Sequence, residues 1–159
     1  MRLTITIAAF ALSACNATNE KAAEQADLNG SAASSPSANG AIVTPIIRTR
    51  RTISDQPLKL PQGEAEMVSI AVDIPAGGAL PIHKHPWSRF FYVERGTLRV
   101  VNHETGQSRD FKAGQVQAEA VGQWHEGQAI GRDPVRVIVI DLVPPGASTT
   151  ITKPKTAAP

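Results

Sequence analysis

From residue 64 onward the chain is a series of short apolar runs, rich in Val, Ile, Phe and Tyr, separated by turn residues. Within the runs, apolar and polar positions tend to alternate, which is the pattern of a strand with one face buried. Strands are predicted near Ala41–Ile47, Glu64–Ile74, Arg89–Glu94, Thr97–Asn102, Ser108–Phe111, Gln115–Ala120, Trp124–Ala129 and Val135–Leu142. The breaks are "PAGG" (75–78), "ERG" (94–96), "HETGQ" (103–107), "KAG" (112–114) and "GRDP" (131–134), with Gly where a tight turn needs positive φ. No helix-length period and no internal repeat interrupts the series. Many short strands at this spacing imply an all-β domain, a sandwich or a closed barrel, both of which deal with exposed strand edges.

The two ends read differently. Arg2 precedes an apolar run from Leu3 to Leu12, too short to span a bilayer as a mature helix and of the form of an export signal. Its end, Leu12-Ser13-Ala14-Cys15, resembles the lipobox of bacterial lipoproteins, in which the Cys is acylated and becomes the first mature residue. The alternative is that Cys15 is an incidental residue in a leader cleaved elsewhere. Cys15 is the only Cys, so it has no partner for an internal disulfide. Asn16 stands where inner-membrane retention signals carry Asp, so the resemblance implies lipid anchoring at the periplasmic face of the outer membrane. From Asn16 to about Gly40 the chain is mostly Ala, Ser, Asn, Gly and Glu, which bury too little area to offset chain entropy, so a disordered tether is expected. Pro144 and Pro145 end the last apolar run, and a flexible tail is expected after them. The expected organisation is a leader over 1–14, a tether over 15–40, a barrel over 41–143 and a tail over 144–159.

At 159 residues there is room for one domain. The formal charge is +2, or +1 without Arg2, a balance that gives no strong attraction to nucleic acid. The cluster Arg48, Arg50 and Arg51 is short enough to be solvated surface. No Ser stands in a strand-turn-helix elbow and no Gly-rich phosphate loop is present, so nucleophilic and nucleotide chemistry find no support.

Of the four histidines, His103 stands in the polar turn "NHETG" and reads as a solvated loop residue. His83 and His85, two apart on an extended segment, face the same side. His125, about forty residues later in "GQWHEG", supplies a third imidazole from a separate strand, and metal sites commonly gather ligands this way.

These residues resemble the cupin family, small double-sheet barrels of the jelly-roll type. The first cupin motif runs Gly, five residues, His-x-His, three or four residues, Glu, six residues, Gly; Gly77, His83, His85 and Gly96 fall in its places. The second runs Gly, five residues, Pro-x-Gly, two residues, His, three residues, Asn; Gly114, Gly122 and His125 fit. The resemblance covers roughly residues 64–143 and implies a divalent metal, Fe, Mn, Zn or Ni, on three His and one Glu inside the barrel. Arg89 stands at the Glu place, Ala120 at the Pro place and Ala129 at the Asn place. A guanidinium about 5 Å from a divalent ion repels it by on the order of 6 kcal/mol at an effective dielectric near 20. A compensating negative charge is therefore required if a metal is bound.

Two sources are available. Along "GQVQAEA", Val116 and Ala118 share one face while Gln117 and Glu119 share the other. Glu119 either pairs with Arg89, takes a metal position itself, or faces solvent. The other source is an anionic small molecule gripped by Arg89, whose fork suits a carboxylate. A bulge after Pro86 would instead turn Arg89 outward. By parity Trp87, Phe91 and Val93 share the inward side with Arg89, as core filling or as a stacking wall for the ligand, while Phe90 and Tyr92 point outward. An apolar outer face needs cover, from the segment Ile42–Ile47 or from a second subunit, and a homodimer is expected. Two functions are carried forward. One is an envelope-anchored cupin binding a small anionic molecule beside a mononuclear metal, with dioxygenase-like or isomerase-like chemistry; the other is a non-catalytic, metal-free binding module of the same fold.

Overall fold

The computed structural model describes residues 35–36 and 40–154; the leader, Cys15 and most of the expected tether lie outside the described residues, as do residues 155–159. The described strands are β1 (Ser35–Pro36), β2 (Ile42–Val43), β3 (Glu66–Ile74), β4 (His83–Lys84), β5 (Arg89–Arg95), β6 (Thr97–Asn102), β7 (Ser108–Lys112), β8 (Val116–Ala118), β9 (His125–Ala129), β10 (Val135–Val143) and β11 (Ile151–Thr152). No helix occurs among the described residues. The barrel consists of two antiparallel sheets, one in the order β3-β10-β5-β8 and one in the order β11-β4-β9-β6-β7. This is the all-β fold expected from the alternation, in the double-sheet jelly-roll form that the resemblance implied.

β-Branched residues suit a pleated surface buried on one side, and β10 shows the consequence most clearly. Val135, Val137, Val139, Asp141 and Val143 are buried, while the residues between them are partly or fully exposed. The side chains of Val135, Val137 and Val139 meet Phe91 and Val93 of β5 and Leu98 and Val100 of β6 in one core. Phe91 and Phe111 cross edge to face at 5.0 Å, joining the two sheets. Gly96 turns β5 into β6 at φ 79°, and a Cβ there would lie 2.5 Å from the carbonyl oxygen of Pro134, so the turn admits no side chain.

Both ends of the described chain depart from expectation. The strand predicted over Ala41–Ile47 shortens to Ile42–Val43, which pairs with Ser35–Pro36 and with neither barrel sheet. At the other end, the free tail expected from residue 144 gives way to an ordered return. The amide of Ala147 bonds the carbonyl of Pro144, Gly146 adopts φ 73°, and Ile151 and Thr152 pair with Lys84 and His83. A two-residue strand without apolar alternation leaves no periodic signal, which is why β11 and β4 escape a pattern reading.

Candidate metal centre

β4 and β9 are neighbours in one sheet, and His83 and His125 are direct partners across them. His85 lies just beyond β4, held by a bridge to Val121 and by the amide of Gly122, which donates to the His85 carbonyl at 2.8 Å. The two separated motifs therefore deliver three rings to one place, with centroids 4.7 to 5.0 Å apart. All three are buried.

Each ring is oriented by a backbone carbonyl. Nδ1 of His83 lies 2.7 Å from the oxygen of Pro81, that of His85 2.9 Å from Thr149, and that of His125 2.8 Å from Gln123. A carbonyl only accepts, so each Nδ1 carries the proton and each Nε2 is left with its lone pair available, unless the ring is doubly protonated. Fixing the tautomer through the far nitrogen is how metal-ligating histidines are set.

Glu119 completes the group. The inward alternative for this residue holds: it is buried, with Oε2 2.9 Å from Nε2 of His85 and 3.0 Å from Nε2 of His125. The donor atoms of His83, His85, Glu119 and His125 all lie within 4.8 Å of one another. Contact with His125 has hydrogen-bond geometry, whereas His85 Nε2 is close to the same oxygen but bonded to nothing, an orphaned buried nitrogen. A lone pair and a carboxylate oxygen at that distance repel unless a cation or proton lies between them.

Burial pushes the His83 imidazole down to about 4, aided by the neighbouring rings and outweighing the Pro81 carbonyl and Glu119, so it is neutral at pH 7. Burial acts to raise the Glu119 carboxyl, but the hydrogen bond from His125 and the proximity of both rings hold it well below the usual range. His125 is the counterpart: burial lowers it, and Glu119 more than reverses that, leaving it raised. His83 thus offers a neutral nitrogen and Glu119 an ionised oxygen, donors that suit a borderline divalent cation.

Arg89 is buried and faces inward, at the wall of the same cavity. It does not pair with Glu119, as one alternative had it. Its Nε and one terminal nitrogen donate to the two carboxylate oxygens of Asp141 at 2.7 and 2.8 Å, and that terminal nitrogen also reaches Thr150 Oγ1 at 3.0 Å. With its fork closed on Asp141, Arg89 is not presented as a clamp for a substrate carboxylate. Trp87 is half-buried and lies outside β5 and outside the lining of the cavity, so no stacking wall forms there. Trp124 is likewise half-buried and sits under the Lys84 ammonium at 4.6 Å. His103 is exposed, near Glu126 at 3.3 Å, apart from the three rings.

Asp141, Thr149 and Thr150 were not anticipated. Asp141 did leave a signal, an acid at an inward position of "VRVIVIDLV", where a buried charge requires a partner. A cavity of about 30 Å³ is lined by His83, His125, Arg89 and Glu119 together with aliphatic side chains such as Val72, Val100 and Val139.

Residues 71–141 match the Cupin domain family. Gly77, the histidines, Glu119 and Asp141 all fall within the match. No curated protein matches the chain in sequence. Among solved structures it is similar to the oxalate decarboxylase of Lactobacillus farciminis in its formate complex, with 26% identity over 54% of this chain and 26% of that one and a TM-score of 0.47. It is also similar to the polyketide cyclase RemF of Streptomyces resistomycificus, with 19% identity, coverage of 65% and 71% and a TM-score of 0.48. A double-stranded β-helix domain protein of Klebsiella pneumoniae gives 20% identity, coverage of 68% and 100% and a TM-score of 0.47. The chain thus spans about a quarter of the oxalate decarboxylase chain.

Proposed function

We propose that the domain binds one divalent metal ion on His83, His85, His125 and Glu119. The observation that carries this reading is the orphaned Nε2 of His85, facing the Glu119 carboxylate at 2.9 Å with no hydrogen bond between them. Glu119 replaces the acid missing at position 89, and Asp141 neutralises the cation that stands there. Summed over Glu119, Arg89 and Asp141, the charge beside the histidines is −1, the same as three His and one Glu alone. The repulsion expected from Arg89 is therefore offset inside the barrel.

A bound ion of this kind supplies a Lewis acid, or a redox centre if it is iron or manganese. The protein's own part is to hold Nδ1 of three imidazoles on backbone carbonyls, keep Glu119 ionised and surround the centre with aliphatic walls. A cavity of about 30 Å³ accepts a ligand of a few atoms, so the small anion of this proposal is no larger than a short carboxylate, reaching the metal rather than the fork of Arg89. The metal-free binding module is the second reading, and the His125–Glu119 hydrogen bond at 3.0 Å favours it, since that pair is self-sufficient when His125 is protonated.

Elemental analysis of untagged protein, beside a His83→Ala/His125→Ala variant, separates the two. Stoichiometric metal that is lost in the variant supports the metal centre; none in either supports the module. The setting we propose is the periplasmic face of the outer membrane through acylated Cys15, a reading that rests on the leader sequence. The assembly we propose is a homodimer, supported by the apolar outer face of the four-stranded sheet. There Ile140 lies beside Phe90, Ile138 beside Tyr92 and Leu142 beside Met67, and Met67 is 67% exposed.

A further inference from the structure

The segment after β10 makes more contacts with the histidine site than its composition gives reason to expect. Beyond the turn at Gly146, it passes over both histidines of the first motif. The Thr149 carbonyl accepts from His85 Nδ1 at 2.9 Å, and Thr150 Oγ1 accepts from Arg89 at 3.0 Å. Thr150 Oγ1 also lies 3.4 Å from His85 Nδ1, too far to displace the Thr149 carbonyl. Ile151 and Thr152 then pair with Lys84 and His83, and the Lys153 amide donates to the Ile82 carbonyl at 2.8 Å. Ser148 Oγ closes the bend by donating to the Thr150 carbonyl at 3.0 Å.

Pro81 and Gln123, the carbonyls that orient His83 and His125, each lie two residues before their own histidine. His85 differs. Its orienting carbonyl comes from a segment sixty-four residues away. It is also the ring whose Nε2 is orphaned.

We infer that residues 148–153 form a strap that positions the metal ligand His85, so that metal affinity depends on whether β11 is seated. This rests on the metal reading above and deepens it, by making a terminal segment a control element of that centre. β11 is a two-residue edge strand with exposed side chains, held by backbone pairing and a few polar contacts. Such an element opens at lower free energy than the strands beneath it. When it opens, His85 loses the acceptor that keeps its proton on Nδ1 and its lone pair on Nε2, and Arg89 loses one of its acceptors. When it is seated, the ring is committed to coordination. Thr149 and Thr150 are therefore positioning residues: they touch a ligand and its charged neighbour, not the metal.

The test uses the full chain with two kinds of variant. Lys153→Pro removes the amide that bonds Ile82, together with an exposed side chain whose ammonium lies 5.9 Å from the Trp124 ring. Thr150→Val removes the hydroxyl that Arg89 uses and keeps the shape, and Thr150→Ser restores it. Nitrogen-15 NMR of the metal-free histidine rings reports tautomers, and Co(II) titration followed by its visible absorption reports affinity. In the parent, His85 is expected as the Nδ1–H tautomer. In Lys153→Pro it becomes a mixture while His125 stays fixed, and Co(II) affinity falls roughly tenfold to a hundredfold. Thr150→Val should weaken Co(II) by less, with recovery in Thr150→Ser. If amide exchange shows β11 released in Lys153→Pro while the His85 tautomer and Co(II) affinity match the parent, the strap has no role and the inference is wrong. Failure of the parent to bind Co(II), with His85 still in the Nδ1–H form, overturns the metal reading instead, and the tautomer comparison still decides whether the strap positions the ring.

Discussion

Asp141 faces Arg89 directly across β10 and β5, and its two oxygens close the guanidinium fork at 2.7 and 2.8 Å with both residues buried. On the other flank of β5, the Glu119 amide bonds the Arg89 carbonyl at 2.8 Å, continuing the register in which Phe90 faces Ala118. Asp141 on β10, Arg89 on β5 and Glu119 just beyond the end of β8 thus form one row. A cation at the usual acid position is tolerated because its neighbour on one side neutralises it and its neighbour on the other carries the displaced carboxylate. An acid in the segment that follows β8, at the same level, stays near the rings.

Removing Asp141 should therefore be costly in a way that removing the pair is not. Asp141→Asn leaves a buried guanidinium without its anion, and a loss of about 3–5 kcal/mol in urea denaturation is expected. Replacing both, as Arg89→Met with Asp141→Leu, should recover most of that loss, since apolar side chains of similar volume are tolerated where a buried pair stood. An Asp141→Asn protein as stable as the parent would show that Asp141 does not hold Arg89 in solution.

Glu119→Gln keeps the shape of the side chain and removes its charge. If Glu119 is a metal ligand, affinity for a divalent ion should fall about tenfold or more, measured by competition with a chelator. Arg89→Met, which leaves the four donors in place, should not lower affinity comparably. Equal affinity of Glu119→Gln and parent would remove the carboxylate from the ligand set.

The fold was readable because alternation survives wherever one face is buried, as in "VRVIVIDLV" of β10. The histidines were readable because spacing alone places His83 and His85 on one side, and the glycines of the second motif put His125 opposite. Arg89 was harder. Its inward direction follows from parity, but its partner does not, since choosing between Glu119 and Asp141 requires knowing which strand lies on which flank of β5. Thr149 acts through a carbonyl, which no side-chain pattern reveals, and β11 is too short to carry a period. Trp87 fails as a cavity residue because parity was extended past Ser88 to a position where the strand has not begun.

The proposed dimer predicts a concentration-dependent sedimentation coefficient. Of the segment Ile42–Ile47, Ile47 lines a pocket with Phe90, but Ile42 and Val43 are themselves exposed, and Tyr92 and Ile140 stay partly exposed on the outer face of the four-stranded sheet. Tyr92→Glu with Ile140→Lys should yield a monomer of nearly unchanged stability, because neither side chain is in the core. A parent that sediments as a monomer at micromolar concentration would leave that face without its proposed partner.

Acid should destabilise the metal-free protein in a window set by His83. Its folded value of about 4 lies below the ordinary 6.5, so between these the unfolded chain binds a proton that the folded chain does not. Stability therefore rises with pH through this window and is lost on acidification. The other shifted members of the site act elsewhere. The raised His125 contributes stability that is full below 6.5 and lost as pH rises, and the lowered Glu119 contributes stability present above 4.5 and lost only as pH falls beneath it. From pH 6.5 to 4.5 the change belongs to His83 and amounts to about 2 kcal/mol. Urea midpoints measured in chelator at the two pH values should show it, and His83→Ala should flatten it. A parent whose midpoint does not move over that range, or a variant that keeps the parent's slope, would mean that His83 is solvated rather than buried against the other two rings.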